Sequence, residues 1–316
     1  MGETMFPLYC LENSMNIKLF KNICYLTQDK LLLVMAKFLK DKYEKVISTK
    51  DYVIAVGQRP VCLCAHLDTV EKIPPIDIYH DKEQNILWSP QLLGADDRAG
   101  VYAIIQIIED GFLPTVILTT DEEKGCLGSQ KLIQDYPTLS DIDKSLTDLK
   151  AIFQLDRRNR KDCVFYDCDN IDFADFVETF GFETAIGSFS DISVIAPAWG
   201  VAAANLSVGY ENEHLYIELL HTDWLEETID KVEAILRKAL EMKKFIYIPA
   251  AKYSFPIDKV SEYAKALNPL SFCGICYKDL TKEERVKICD DFYCCKDCYM
   301  KYMFEPPSDD IDDVYR

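Results

Sequence analysis

The chain alternates short, unbroken apolar runs with longer stretches in which apolar residues recur every three or four positions. The runs sit in DYVIAV, PVCLCAH, TVILTT, AIFQLD and AAANLSV. Short runs that are apolar on both faces predict buried strands. Ile76–Tyr79 and Asn85–Trp88 read as a hairpin. Helical periodicity covers residues 29–46, with Asp29 as a cap, then Arg98–Glu109, a short helix beginning at Ser129–Gln134, and DFADFVETF. The longest helical pattern is Thr222–Lys243, capped by Thr222 or Asp223, with Trp224, Leu225, Ile229, Val232, Leu236 and Leu240 on one face. Tyr136–Leu149 is polar and reads as loop or weak helix. Strands alternating with helices predict an α/β fold, its sheet covered by helices on both faces.

Three segments end in a burst of charge: VCLCAHLDTV, LLGADDRAG and TVILTTDEEKG. His66 and Asp68 close the first, Asp96 and Asp97 the second, and Asp121, Glu122 and Glu123 the third. An open α/β sheet binds ligands in the crevice at the carboxyl ends of its strands. Acids gathered there repel one another unless a cation neutralises them. The pattern therefore predicts a metal site, and the number of donors predicts a binuclear one.

Composition bounds the alternatives. With 316 residues, 49% of them hydrophobic, the chain can build one α/β unit plus an appendage. Its net charge of -18 argues against a nucleic-acid partner. No apolar run approaches the roughly 20 residues that cross a bilayer, so no membrane association is expected. The start, MGETMFPLYC, lacks the basic and apolar regions of a secretory signal, so residues 1–14 read as a leader or tag, with Met15 as an alternative start. Thirteen cysteines then read as reduced thiols or metal ligands, and the expected location is cytoplasmic. The expected organisation is a catalytic domain over 15–248, a linker and helix over 249–268, a cysteine-rich module over 269–303 and an acidic tail over 304–316.

Zinc accepts imidazole and carboxylate, and a catalytic site keeps a position for water. Two zincs sharing one carboxylate need two terminal histidines and two further acids. Of the four histidines, His66 and His214 stand among acids, whereas His80 and His221 read as structural. The chain supplies His66, Asp96, Glu123, Asp156 and His214 as ligands and leaves Glu122 for proton transfer. The order H-x-D, G-A-D-D-R-A-G, T-D-E-E-x-G, a strand-end Asp and a late His resembles the co-catalytic zinc exopeptidase superfamily, over roughly residues 50–243. That superfamily includes zinc aminopeptidases, tripeptidase, carboxypeptidase G and the aminoacylases. The resemblance implies a mixed, mostly parallel sheet with Asp96 bridging two zincs (cobalt or manganese being alternatives). His66 and Asp156 would hold one ion, Glu123 and His214 the other. Glu122 would be the general base acting on a shared water of lowered pKa, and Asp68 would orient His66. Asp97 either shares in the site or only caps the helix at Arg98.

The segment between Asp156 and His214 is too short for the lid or dimerisation domain of the carboxypeptidase and tripeptidase branches. The resemblance therefore implies the lidless, aminopeptidase-like branch, acting on peptides, and a monomer. A deacylase or dipeptidase shares every ligand and is the alternative. A second alternative is an inactive adaptor. Ser190 and Asp191 resemble a motif bordering the active site, with a helix cap as the competing role. Tyr210 and Asn212 are cleft candidates, against simple loop packing. Finally, Cys273-x2-Cys276 and Cys295-x2-Cys298, separated by eighteen residues, have the spacing of a four-cysteine zinc ribbon. Cys294 is an alternative ligand there. One structural zinc is expected, and the acidic character of the segment favours a protein partner over nucleic acid.

Overall fold

The computed structural model describes residues 15–139, 145–146 and 148–250, and the backbone of 285–289 and 292–295. The chain divides into two compact units, residues 1–251 and 252–316. The first begins with α1 (Ile17–Cys24), α2 (Gln28–Lys42), β1 (Val46–Ser48), β2 (Tyr52–Ala55) and β3 (Arg59–His66). Next come β4 (Tyr79–Asp81), β5 (Ile86–Trp88), α3 (Ala95–Glu109), β6 (Pro114–Thr119), α4 (Leu127–Asp135) and β7 (Ala151–Arg157). The remainder is β8 (Asp162–Val164), α5 (Ile171–Glu178), β9 (Glu183–Thr184), α6 (Asp191–Trp199), β10 (Ala203–Ser207), β11 (Tyr210–Glu211), β12 (Leu219–His221) and α7 (Thr222–Lys238).

Eight strands form one sheet in the order β1-β2-β6-β3-β7-β10-β8-β9. Its centre, β6-β3-β7-β10, is parallel, as the strands apolar on both faces require. Alternate residues of β3 feed two cores. Leu63 and Ala65 join the helices α1, α2, α3, α5 and α7, while Cys62 and Cys64 join α4 and α6 on the other face. Helix α3 is buried nearly all round, between the sheet and helices α1 and α7. Because the central strands are parallel, His66, Thr119 and Asp156 reach the same edge, with His66 in register with Thr119 and Cys64 with Gln154. Residues 157–207 continue this sheet and its helices, and the range 157–213 contains no separate lid.

The hairpin is shifted toward the C-terminus, since Asp81 turns the chain by accepting the N–H groups of Glu83 and Gln84. It belongs to a second, antiparallel sheet, β11-β12-β5-β4, which also flanks the loop carrying His214. Helix α7 stops at Lys238 rather than Lys243, where the chain turns so that Phe245 N–H can meet Lys150 C=O; Leu240 is left 65% exposed. Helix α1 lacks a sequence expectation. Its eight residues, little more than two turns, are anchored by Asn16, whose side chain caps Leu19 N–H. In the second unit β13 (Arg285–Cys289) and β14 (Phe292–Cys295) pair antiparallel, which puts Cys294 and Cys295 on a strand. Cys273, Cys276 and Cys298 lie outside the described residues, as do residues 1–14 and 304–316. Among the described residues, no helix is long and apolar enough to cross a membrane.

Candidate metal centre

The ends of β3, β6 and β7, the start of α3 and the loop between β11 and β12 bring six of the expected side chains together. His66, 1% exposed, directs Nε2 at Asp96 Oδ1 (3.0 Å) and Asp156 Oδ1 (3.5 Å). The other oxygen of Asp96, Oδ2, lies 3.3 Å from His214 Nε2, which in turn is 2.9 Å from Glu123 Oε1. Asp96 thus stands between two groups of donors, His66 with Asp156 and Glu123 with His214. Each trio, and a third formed by His66, Glu122 and Glu123, keeps its donor atoms within 4.8 Å.

Local backbone explains the convergence. Asp96 and Asp97 open α3 with non-helical φ/ψ and a cis peptide between them, after Gly94 at φ 71°. Asp97 accepts Gly100 N–H through Oδ1 (2.9 Å) and His66 N–H through Oδ2 (3.2 Å), so it both caps α3 and ties it to the end of β3. Gly100 is needed there, because a Cβ would fall 1.9 Å from Leu155 O. Asp68 Oδ1 lies 3.2 Å from His66 Nδ1, and its two oxygens accept the N–H groups of Glu122 (3.0 Å) and Glu123 (3.1 Å). Asp156 has its own supports. Gln154 donates to it (2.9 Å), Tyr210 Oη donates to Oδ1 (3.2 Å), and Asn205 bonds both its N–H and its C=O.

Burial and mutual repulsion shape the charges. Asp156 is pushed up to about 7 by burial and by the neighbouring Asp96. Burial pushes Glu122 up to about 9, with Asp156, Asp191 and Asp96 adding to the effect against His66. Burial opposes ionisation of Asp96, but its bonds to His214 and His66 hold it below the ordinary carboxylate range. Those to Asp96 and Glu123 raise His214 to about 10. Buried acids that converge on shared space with imidazole nitrogens match the donor preferences of zinc and similar divalent ions, so the residues fit the expected metals.

Other expected residues separate. Tyr210 supports Asp156 and lines the adjoining cavity of about 130 Å³. Asn212 bonds within its own loop, to Ile217 C=O (3.5 Å), outside that cavity. Ser190 and Asp191 are buried and do not line it. Ser190 caps α6 in a reciprocal box with Ser193 and donates to Gln154 (2.5 Å), and Asp191 accepts from Thr119 Oγ1. Gln154, Asn205 and Glu218 had no place among the sequence candidates. Their signal was a polar residue inside an otherwise apolar run for the first two, and an isolated acid in YIELL for the third. Arg157, Arg158, Tyr166 and Phe189 complete the cavity wall.

Residues 47–170 match the model of Peptidase family M28. That span contains every donor except His214. Among solved structures, aminopeptidase PepT of Bacillus cereus superposes with a TM-score of 0.57 at 14% identity, over 71% of this chain and 98% of its own. A tripeptidase from Staphylococcus aureus gives 0.54 at 14% identity, over 71% and 98%. The TET1 peptidase of Pyrococcus horikoshii, described as assembling into a tetrahedron or a large octahedral shell, gives 0.50 at 16%, over 69% and 97%. At these identities the likeness is one of fold, and it agrees with the mixed, mostly parallel sheet expected from sequence. No curated protein matches the chain.

Proposed function

We propose that the chain is a metal-dependent aminopeptidase that hydrolyses the N-terminal bond of peptides. The observation that carries the metal dependence is the placement of Asp96, with one carboxylate oxygen toward His66 and the other toward His214; the likeness in fold to aminopeptidase PepT supports the choice of an aminopeptidase. His66, Asp96 and Asp156 would hold one divalent cation, and Asp96, Glu123 and His214 a second; zinc suits these donors, with cobalt or manganese as alternatives. Bound there, the cations supply Lewis acidity, which acidifies water and polarises a carbonyl. The chain supplies the rest. The Glu122 carboxylate, beside the donors and raised in pKa, takes a proton from water and delivers it to the leaving amine. Asp68 fixes the His66 ring and the backbone of Glu122 at once. Tyr166, Phe189 and Arg157 on the cavity wall are the side chains a substrate meets.

The deciding experiment pairs metal analysis with a substrate panel. Full-length protein should carry two cations in this site and one in the ribbon, and should cleave aminoacyl p-nitroanilides and free peptides. Preference for N-blocked peptides or acyl-amino acids would overturn the aminopeptidase assignment in favour of a deacylase.

Cys273, Cys276, Cys295 and Cys298, with Cys294 as alternative, form in this proposal a structural zinc ribbon that docks a protein partner. The spacing of the pairs and the β13–β14 hairpin between them support it. The cytoplasm suits the chain, since the six described cysteines of the first unit are buried, unpaired thiols. The monomer expectation is not retained: it rested on the missing lid, and the TET1 peptidase assembles.

A further inference from the structure

We infer that Glu218 is the positioning residue that sets the affinity of the second cation position, the one formed by Asp96, Glu123 and His214. This rests on the two-cation proposal above. The two positions are supported unequally. On the first, His66 Nδ1 faces Asp68, and Asp156 is held by Gln154, Asn205 and Tyr210. On the second, the His214 side chain is 46% exposed, and among the described residues no hydrogen bond reaches its Nδ1. Metal-binding histidines ordinarily have their other ring nitrogen fixed by a partner. Here the orientation must come through the loop.

That loop, residues 212–218, exposes Leu215, Tyr216 and Ile217 and has few bonds of its own. His214 itself sits at φ 66°, a left-handed conformation that a non-glycine residue keeps only when its surroundings enforce it. The loop's buried anchor is Glu218, 2% exposed. Its carboxylate crosses to the start of α3, where Oε2 accepts Gly94 N–H (2.7 Å) and Oε1 accepts Asp96 N–H (3.1 Å). Neither N–H has a partner inside the helix, so the two carboxyl oxygens cap them. A closed circuit results: Asp96 carboxylate to His214 ring, His214 through three residues to Glu218, and Glu218 back to the Asp96 backbone. Glu218 thereby fixes the distance between the shared carboxylate and the second histidine. Glu218 is not among the groups that bond His66 Nδ1 or the Asp156 side chain, and its tie to the first position runs only through the shared Asp96.

The test is Glu218→Gln in the full chain. Glutamine keeps the shape but turns one acceptor into a donor that opposes an N–H. Metal-stripped protein is titrated with Co2+, with visible absorption following the nitrogen and oxygen sites and thiolate charge-transfer bands reporting the ribbon separately. Wild type should fill two nitrogen and oxygen positions. Glu218→Gln should weaken one of them by about tenfold to a hundredfold, the size of effect typical of outer partners, and leave the other and the ribbon within about threefold. His214→Ala should lose the same position, identifying it. Equal weakening of both positions, or of neither, overturns the inference, because a merely structural role would lower them in parallel with the unfolding temperature of the metal-free protein. Should Glu218→Gln fail to fold, Glu218→Asp, which keeps the carboxyl group but is too short to span both N–H groups, is read by the same criteria. A wild-type chain that binds fewer than two such ions refutes the two-cation proposal itself, and shows it without any variant.

Discussion

Asp68 accepts the backbone N–H of Glu122 at 3.0 Å through the same oxygen that faces His66 Nδ1 at 3.2 Å. One carboxylate therefore sets both the orientation of a donor imidazole and the position of the proposed base. Asp68→Ala should lower turnover and loosen metal binding together, each by about tenfold to a hundredfold. Asp68→Asn, which retains one acceptor, should fall between. Kinetics alongside metal content would check this; loss of turnover with unchanged metal content would confine Asp68 to the base.

Gly100 is a packing constraint with consequences for the site. A methyl there would meet Leu155 O at 1.9 Å and both Asp97 oxygens within 2.7 Å. Backbone cannot yield as a side-chain end can, so α3 would have to shift away from β7. Gly100→Ala should cost about 3 kcal/mol or more, at the upper end of overpacking effects. It should also weaken metal binding, since Asp96 rides on the same turn. Urea unfolding of the metal-free variant gives the first effect and a metal titration the second. A variant as stable as wild type would contradict this packing.

How far the sequence reveals this site depends on where each residue's signal lies. His66, Asp96, Glu122, Glu123 and Asp156 are visible because each follows an apolar run, and parallel strands deliver their ends to one edge. His214 is visible only through its place in the motif order. The residues that hold these donors are harder to see. Gln154 and Asn205 look like interruptions of AIFQLD and AAANLSV, and their meaning comes from β7 and β10 lying side by side. Glu218 is a lone acid in a loop until that loop folds against α3. The sequence leaves Ser190 and Asp191 either at the cleft or as a cap, and Ser190 caps helix α6, which begins at Asp191. The periodicity of α7 runs past its true end because Leu240 keeps the repeat after the chain has turned.

Stability of the metal-free chain should depend on pH in a definite direction. Burial first, then like charges, raise Asp156 to about 7, Glu218 to about 8 and Glu122 to about 9. Unfolded, these acids titrate near the ordinary value of about 4, so above it the folded chain binds more protons and stability falls as pH rises. His214, raised to about 10 by Asp96 and Glu123, acts in the same sense: its contribution is full below the unfolded value and is lost as pH climbs through the folded one. Asp96, held low, opposes this only in acid. Bound cations take the place of these protons. Unfolding temperature should drop between about pH 5 and about pH 9 after chelation and stay nearly level when metal is restored. A level profile after chelation would show that these acids do not converge as described.

The assignment of Glu122 separates chemistry from metal binding. Glu122 approaches His66 and Glu123, yet it stands outside the two trios centred on Asp96. Its neighbour Cys126 donates to Oε1 at 3.7 Å. Removing its carboxylate should thus leave both cation positions intact while removing the group that carries the proton from water to amine. Glu122→Gln, nearly isosteric, is expected to retain full metal content and to lose about a hundredfold to ten-thousandfold in kcat, the usual contribution of a positioned general base. KM should change little, because glutamine keeps the shape of the one wall residue it replaces and leaves Tyr166, Phe189 and Arg157 as they are. Metal content, kcat and KM of the same preparation decide the matter. Full activity would remove Glu122 from the mechanism, and lost metal would make it a ligand instead.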